Sequence, residues 1–457
     1  MQPAEALASI SGDVLREWLL SRRWFRPDER GLVRVELTAS TVISGGDRPV
    51  VIAIVAAVLT SGAREHYQLP LVFLPLSEAP NAIATVGDLA VDDALHHPDA
   101  CAVIAALFDE GAETVDGSEA ITFHGVPSTA IPPGPARPLD VQQSHSSFVV
   151  GDAAVVKTYR HLEPGDGPEL EMTRFLCAHG FPSVPPLLGW CEVAGGDLKA
   201  TLGIAQAYVD DGVDGWQFVR DALANDPAVL PAAMAELGGV VGRMHAVLGS
   251  DHDNPDFSPE VKDPVHLDLT LATIDEEIRE AYAAFGDDPD LDPLRGREAE
   301  LREHVRALAA VDDLGRAIRV HGDLHLGQAL IDESGAWWII DFEGEPARAM
   351  RDRRRRRSPL RDVAGLSRSL SYACAVAGCD GIAVADGAEG AMRVAMLRGY
   401  LDGVDPVLLP VSQASTDTLL HLFEVEKAVY ELRYEMAYRP DWVRIPVAAL
   451  VRVLDGP

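Results

Sequence analysis

Residues 319–346, RVHGDLHLGQALIDESGAWWIIDFEGEP, constrain the fold more than any other stretch of the chain. Two acids, Asp323 and Asp341, stand on either side of a short hairpin whose turn reads DESGA, and four residues separate Asp323 from Gln328. A tight hairpin leaves its flanking side chains little freedom, so the three polar groups work on one small volume. Their chemistry is specific. One carboxylate can orient or accept a hydroxyl proton, while a second carboxylate and an amide oxygen hold a hard divalent cation. Two other readings use the same residues. His321, Asp323 and His325 alternate as zinc ligands on one strand would, although that leaves the DFE at 341–343 without a task. The acids could also form a buried structural network.

The remaining sequence sets limits. A chain of 457 residues exceeds what one hydrophobic core serves, so two or three subdomains are expected. With 39 Lys and Arg against 71 Asp and Glu, the formal charge of −32 repels a nucleic-acid partner. The longest apolar run, VVIAIVAAVL at 50–59, is far below the ~18 residues of a membrane span and reads as a buried strand. The N-terminus lacks the basic start and long apolar core of a signal peptide. Five scattered cysteines, without CxxC spacing, read as reduced core thiols. A cytoplasmic protein is expected, monomeric or weakly oligomeric, with small-molecule partners and neither nucleic acid nor membrane.

The order of elements sharpens the reading. A helix over 12–24 precedes β-rich runs at 32–43, 49–60 and 66–76, which predict an antiparallel sheet packed on a helix. A helical passage near 99–109, a strand at 119–125 and a Pro-rich extended connector at 126–138 follow. Residues 147–160 predict a hairpin turning at Gly151 and Asp152, then come a helix over 168–178 and a strand near 203–209. Beyond 215 the chain is mostly helical. A β-rich front, a helical back and an acidic hairpin between them are the layout of a kinase. The spacing of Asp323 and Gln328 is that of the Asp and Asn in a kinase catalytic loop, and Asp341 ends a strand as a DFG-type metal ligand does. Asp323 is thus the expected catalytic base, with Gln328 and Asp341 as Mg2+ ligands. Lys157, one of only four lysines, lies on a strand suited to contact the ATP α/β-phosphates. Glu169 and Glu171 on the next helix are the candidates for its ion pair, and Glu171 is preferred. In place of a glycine-rich loop, QQSHSSF at 142–148 offers Ser144, Ser146 and Ser147 as phosphate donors.

The motifs HGDLHLGQ, WIIDFEGEP, SPLRDVAG at 358–365 and KAVYELRYEMAYRPDWVRIP at 427–446 resemble those of the bacterial maltokinase-like sugar kinases. The resemblance spans essentially the whole chain, including the N-terminal cap with its RRWF at 22–25. It implies an α+β, bilobal protein-kinase-like fold with a β-rich cap and N-lobe and a mostly helical C-lobe. The implied domains are a cap at 1–95, an intermediate and N-lobe subdomain at 96–208, and a C-lobe at 209–457. Asp362 resembles the acid that buttresses the catalytic loop, and residues 206–209, with Gln206 and Tyr208, the hinge that meets adenine through its backbone. One branch of this family makes maltose 1-phosphate, and an actinobacterial branch phosphorylates glucosamine at its 6-hydroxyl. QSHSS in place of the usual QSNTS, and the divergent segment 210–218, lead away from maltose.

The acceptor site is expected around Asp323 and His325 and on the last long helix. Leu422, Val425, Val429, Leu432 and Met436 recur at helical spacing as a core stripe, while Lys427, Glu431, Tyr434 and Tyr438 take the opposite face. Glu431, Tyr434, Glu435 and Trp442 supply carboxylates for hydroxyl or ammonium protons and aromatic faces for a sugar ring. The competing reading is a solvated face stabilised by pairs such as Lys427 and Glu431. The arginine run at 351–357 is expected to be a mobile loop rather than a nucleic-acid or membrane patch.

Overall fold

A computed structural model describes residues 3–456 apart from 23, 26–30, 80–81, 111–112, 117–118, 128, 140–144, 196–197, 263 and 346–347. The chain divides into two compact units, Met1–Cys177 with Pro185–Asp210, and Ala178–Val184 with Asp211–Pro457.

The first unit runs α1 (Pro3–Ala8), α2 (Gly12–Leu20), β1 (Leu32–Ser44), β2 (Val50–Leu59), β3 (Arg64–Pro75), β4 (Ala84–Val86), β5 (Leu89–Asp93), α3 (Pro98–Glu110), β6 (Glu113–Asp116) and β7 (Glu119–Gly125). It continues with β8 (Ala136–Leu139), β9 (His145–Val150), β10 (Ala154–Tyr159), β11 (His161–Leu162), α4 (Pro168–Ala178), β12 (Leu187–Gly195) and β13 (Leu198–Ala207). Two antiparallel sheets result. One has the order β1-β2-β3-β5-β4, with β11 also on β3, and the other β6-β7-β12-β13-β10-β9-β8. Every residue of β2 is buried, which accounts for its unbroken apolar sequence. Val51, Ala53, Val55 and Ala57 pack with Leu15 and Leu19 of α2, while Val50, Ile52 and Ile54 face a core shared with Phe148 and Val156 of the second sheet. A strand covered on both faces has no polar side to alternate with. Gly12 allows α2 to lie against β1, since a Cβ there would stand 2.4 Å from the Val35 carbonyl oxygen. The expected connector at 126–138 ends as β8, where Pro138 sits on the sheet edge and removes no ladder hydrogen bond.

The second unit holds α5 (Gly215–Asn225), α6 (Leu230–Leu248), α7 (Pro264–Ala283), α8 (Glu298–Ala307), α9 (Met350–Arg353), α10 (Leu360–Cys379), α11 (Ala388–Gly403), α12 (Gln413–Tyr438) and α13 (Arg444–Asp455). Its short strands are β14 (Val213–Asp214), β15 (Glu260–Val261), β16 (Arg316–Ala317), β17 (Ala329–Ile331) and β18 (Trp337–Ile339). β17 and β18 form the predicted hairpin and pair Ala329 with Ile339. Helices α6 and α11 meet backbone to backbone, because a Cβ at Gly399 would lie 1.9 Å from the Ala235 carbonyl oxygen. None of the described helices is long and apolar enough to cross a membrane. Cys101, Cys191 and Cys374 are buried as core thiols, whereas Cys379 is exposed.

Candidate active site

In the first unit, strand alternation puts Lys157 and Tyr159 on one face of β10. Lys157 Nζ lies 2.8 and 3.0 Å from the two carboxylate oxygens of Glu169, and the Tyr159 hydroxyl donates to the same group at 2.8 Å. The pairing expected for Glu171 therefore belongs to Glu169. The two are two residues apart, about 200° around a helix, so only one can face β10. Glu169 is fully buried and Glu171 half-buried. Ser146 and Ser147 sit within strand β9, opposite Thr158 and Lys157, rather than in a turn. Ser146 Oγ accepts from Arg160 Nε at 2.9 Å, and Ser147 Oγ is buried without a partner among the described residues. Ser144 lies outside the described residues. Gln206 is in β13 opposite Val155, and the Tyr208 N–H donates to the Ala153 carbonyl at 2.9 Å.

The loop at 321–328 belongs to the second unit, and Asp362 of α10 organises it. Its carboxylate accepts the backbone N–H groups of His321 (2.8 Å) and Gly322 (2.9 Å) and meets His245 Nε2 of α6 at 3.1 Å. Burial alone would raise the Asp362 pKa, but the His245 hydrogen bond and the surrounding positive and N–H groups outweigh it and hold the carboxyl below its usual range. Gly365, one turn on, lets the loop approach, since a Cβ there would stand 2.6 Å from the Leu324 carbonyl oxygen. His321 Nε2 reaches the Ile340 carbonyl at 2.9 Å, and His325 Nδ1 accepts the Gly327 N–H at 3.0 Å. Both histidines shape the backbone, which weakens the zinc reading. Burial lowers the His325 pKa and favours the neutral ring.

Asp323 is half-buried and its Oδ1 lies 3.2 Å from Lys427 Nζ of α12. Burial would depress the Lys427 ammonium, yet the carboxylates of Asp323 and Glu431 prevail and raise its pKa above the ordinary lysine range. The sequence places Lys427 on the polar face of this helix, but nothing in its local sequence links it to Asp323, 104 residues away. Gln328 Nε2 donates to Asp341 Oδ2 at 2.8 Å. A carboxylate and an amide side chain held together are a hard-oxygen pair of the type that Mg2+ takes. Asp341 adopts φ +66°, a left-handed conformation that Asp and Asn tolerate better than other side chains. Replacing Asp341 by Asn keeps this backbone and removes the charge. Mg-ATP affinity is expected to fall by more than the ~10–100-fold cost of losing an outer-shell metal partner, with little change for free ATP. Titration of both nucleotide forms checks this, and equal losses would count against the metal role.

Along α12 the core stripe is buried at Leu422, Val425, Val429 and Leu432, with Met436 half-buried. The opposite face is largely covered, with Lys427 and Tyr434 half-buried and only Tyr438 exposed among the four residues expected there. Glu431 is buried and receives Arg368 Nη2 at 2.7 Å and Nε at 3.0 Å from α10. Glu435 is 1% exposed. Its Oε1 accepts from the Tyr372 hydroxyl (3.3 Å) and Arg439 Nη2 (2.9 Å), while Oε2 has no partner among the described residues. Tyr434 stacks on Tyr430 with ring centroids 6.3 Å apart and meets Tyr438 at 4.9 Å with the planes tilted by 45°. Trp442 stacks on Trp216 at 6.4 Å with planes 16° apart, and packs on Tyr372 at 6.2 Å. Trp216 falls in the divergent segment 210–218 and was not assigned a role by spacing.

The arginine run is ordered. It opens as α9, Arg357 exchanges backbone hydrogen bonds with Ile318 (2.8 and 2.9 Å), and Arg356 binds the Glu260 carboxylate. Asp352 inside the run pairs with Arg355 at 3.1 Å, and the distant Glu260 with Arg356.

Comparison with known proteins agrees with this geometry. Residues 135–344 match the phosphotransferase enzyme family and residues 18–102 the maltokinase N-terminal cap domain. A glucosamine kinase of Mycolicibacterium smegmatis is 29% identical over 331 residues, covering 70% of this chain and 79% of that protein. A glucosamine kinase of Streptacidiphilus jiangxiensis is 29% identical over 369 residues, covering 77% and 80%. The structure of a glucosamine kinase in complex with glucosamine, ADP and inorganic phosphate superposes with a TM-score of 0.71 at 22% identity, covering 99% of both chains. The fold is therefore the kinase-like one that the motifs implied.

Proposed function

Because residues 135–344 match the phosphotransferase enzyme family and residues 18–102 the maltokinase N-terminal cap domain, we propose that the chain transfers the γ-phosphoryl group of ATP to the 6-hydroxyl of glucosamine. The observation that carries this reading is the loop braced by Asp362, which bears Asp323 and runs into the Gln328–Asp341 pair. Asp323 accepts the proton of the acceptor hydroxyl as its oxygen bonds to phosphorus and the ADP oxygen leaves. Lys427 keeps that carboxylate oriented. Lys157, fixed by Glu169, contacts the α/β-phosphates, and the backbone at 206–209 receives adenine. Gln328 and Asp341 would hold Mg2+, which when bound neutralises phosphate charge.

The acceptor reading rests on Glu435. A sugar that carries an ammonium in place of a hydroxyl needs a buried carboxylate oxygen that is not already spent. Glu435 Oε2 meets that description, whereas Glu431 is committed to Arg368. Trp442 and Trp216 offer the apolar ring faces. A charge-assisted hydrogen bond is worth about 1.5–3 kcal/mol, so Glu435→Gln is expected to lose roughly 10- to 150-fold in kcat/KM for glucosamine and much less for glucose. An unchanged glucosamine-to-glucose ratio would remove Glu435 from the acceptor site. The function itself is tested by ATP consumption with glucosamine, glucose and maltose, glucosamine being the expected best substrate. Preference for maltose would make the protein a maltokinase instead.

A further inference from the structure

The arginine run at 351–357 is left without a task by phosphoryl transfer. In the second unit it lines a groove of about 690 Å3 that presents, among the described residues, eight basic side chains and two acidic ones. The chain as a whole has the opposite balance, 71 acids to 39 bases. Lys262, Arg316, Arg354, Arg355 and Arg356 line the groove beyond the catalytic loop. Its two acids are already engaged. Glu260 holds Lys262 (2.6 Å) and Arg356, and Glu426 holds Arg361 (2.6 Å). Arg356 Nε is buried without a described partner. Burial pushes Arg357 down to about 10, and the charges of Arg361 and Arg348 push in the same direction. Such crowding of guanidinium groups is relieved by an anion. Planar guanidinium forks match phosphate oxygens, and the volume suits a small-molecule ligand.

We infer that this groove binds a small phosphate anion carrying two or more negative charges, at a position separate from both substrates. None of Asp323, Gln328, Asp341 or Glu435 lines it. Arg348, Arg357 and Arg361 line both the groove and the smaller cavity that contains Asp323 and Lys427. An anion that draws Arg361 from Glu426 acts on α12 next to Lys427, the residue paired with Asp323. Occupancy therefore changes kcat.

Isothermal titration of the full chain tests the site, using inorganic pyrophosphate and, separately, glucosamine 6-phosphate, each with excess ADP and excess glucosamine present to occupy both substrate positions. At least one anion is expected to bind, and the tighter of the two identifies the ligand as inorganic or as a sugar ester. Binding should weaken about tenfold or more in Arg354→Ser/Arg355→Ser and by less in Arg354→Lys/Arg355→Lys, which keeps charge but loses the planar fork. Both variants should keep wild-type turnover when no anion is added. Arg316→Ser, outside the run, provides an independent variant with the same expected loss of binding. Absence of binding by both anions, or wild-type affinity in the serine variants, would overturn the inference.

Discussion

Replacing Asp323 by alanine is expected to cut turnover on glucosamine by roughly 10²–10⁴-fold while leaving nucleotide affinity nearly unchanged, because a general base acts in the transition state rather than in ATP binding. The structure adds a condition to this result. Asp323 also balances Lys427, and its removal leaves that half-buried ammonium beside Glu431 and Tyr430. Asp323→Asn, which keeps the shape and a hydrogen-bond acceptor, separates the two effects. Both variants should lose turnover if proton acceptance is the role, and the asparagine form should retain more stability. Single-turnover rates together with ADP titration make the comparison. Wild-type turnover in Asp323→Ala would end the assignment.

Asp362→Ala is expected to produce the largest loss of stability. The Asp362 side chain is 1% exposed, and removing it strands the N–H groups of His321 and Gly322 and the ring of His245 in an apolar interior. Each buried donor left without its acceptor costs about 1–3 kcal/mol, and several lose theirs together. Asp362→Asn should cost less, since one oxygen still accepts while its NH2 group faces a second donor. Denaturant unfolding of both variants, followed by a probe in the second unit, measures the difference. Unchanged unfolding midpoints would mean that the loop is braced elsewhere.

What the sequence revealed follows from the range of the interactions. The β17–β18 hairpin, with Gln328 and Asp341 at its ends, is local, so spacing alone located it. The choice between Glu169 and Glu171 depended on how α4 rotates against β10, which two adjacent acids in one helical turn do not disclose. Helix α12 reads as amphipathic because a polar face usually meets water. Here that face meets Arg361 and Arg368 of α10, so Glu426, Glu431 and Glu435 are all buried. The arginine run misled for the same reason, as its partners Glu260 and Ile318 lie far away in the chain. Lys427 and Trp216 share this difficulty: each acts through a residue more than a hundred positions distant.

The ion pair between Arg160, which follows β10, and Asp93, which ends β5, bears on how such a chain can be inherited. The contact measures 2.7 Å with both side chains 2% exposed, and Arg160 also holds Ser146 and lies over the Trp24 ring. Strand β2 contributes Ile52 and Ile54 to the core that contains Phe148 and Val156. The cap and the phosphotransferase sheet match two separate family models, yet they share one interior and one buried charge pair. A duplicated or transferred catalytic half that lacked the cap would carry an orphaned guanidinium and an open apolar face, a combination costing several kcal/mol. The cap and the phosphotransferase sheet therefore depend on one another to fold, through one interior and one buried ion pair.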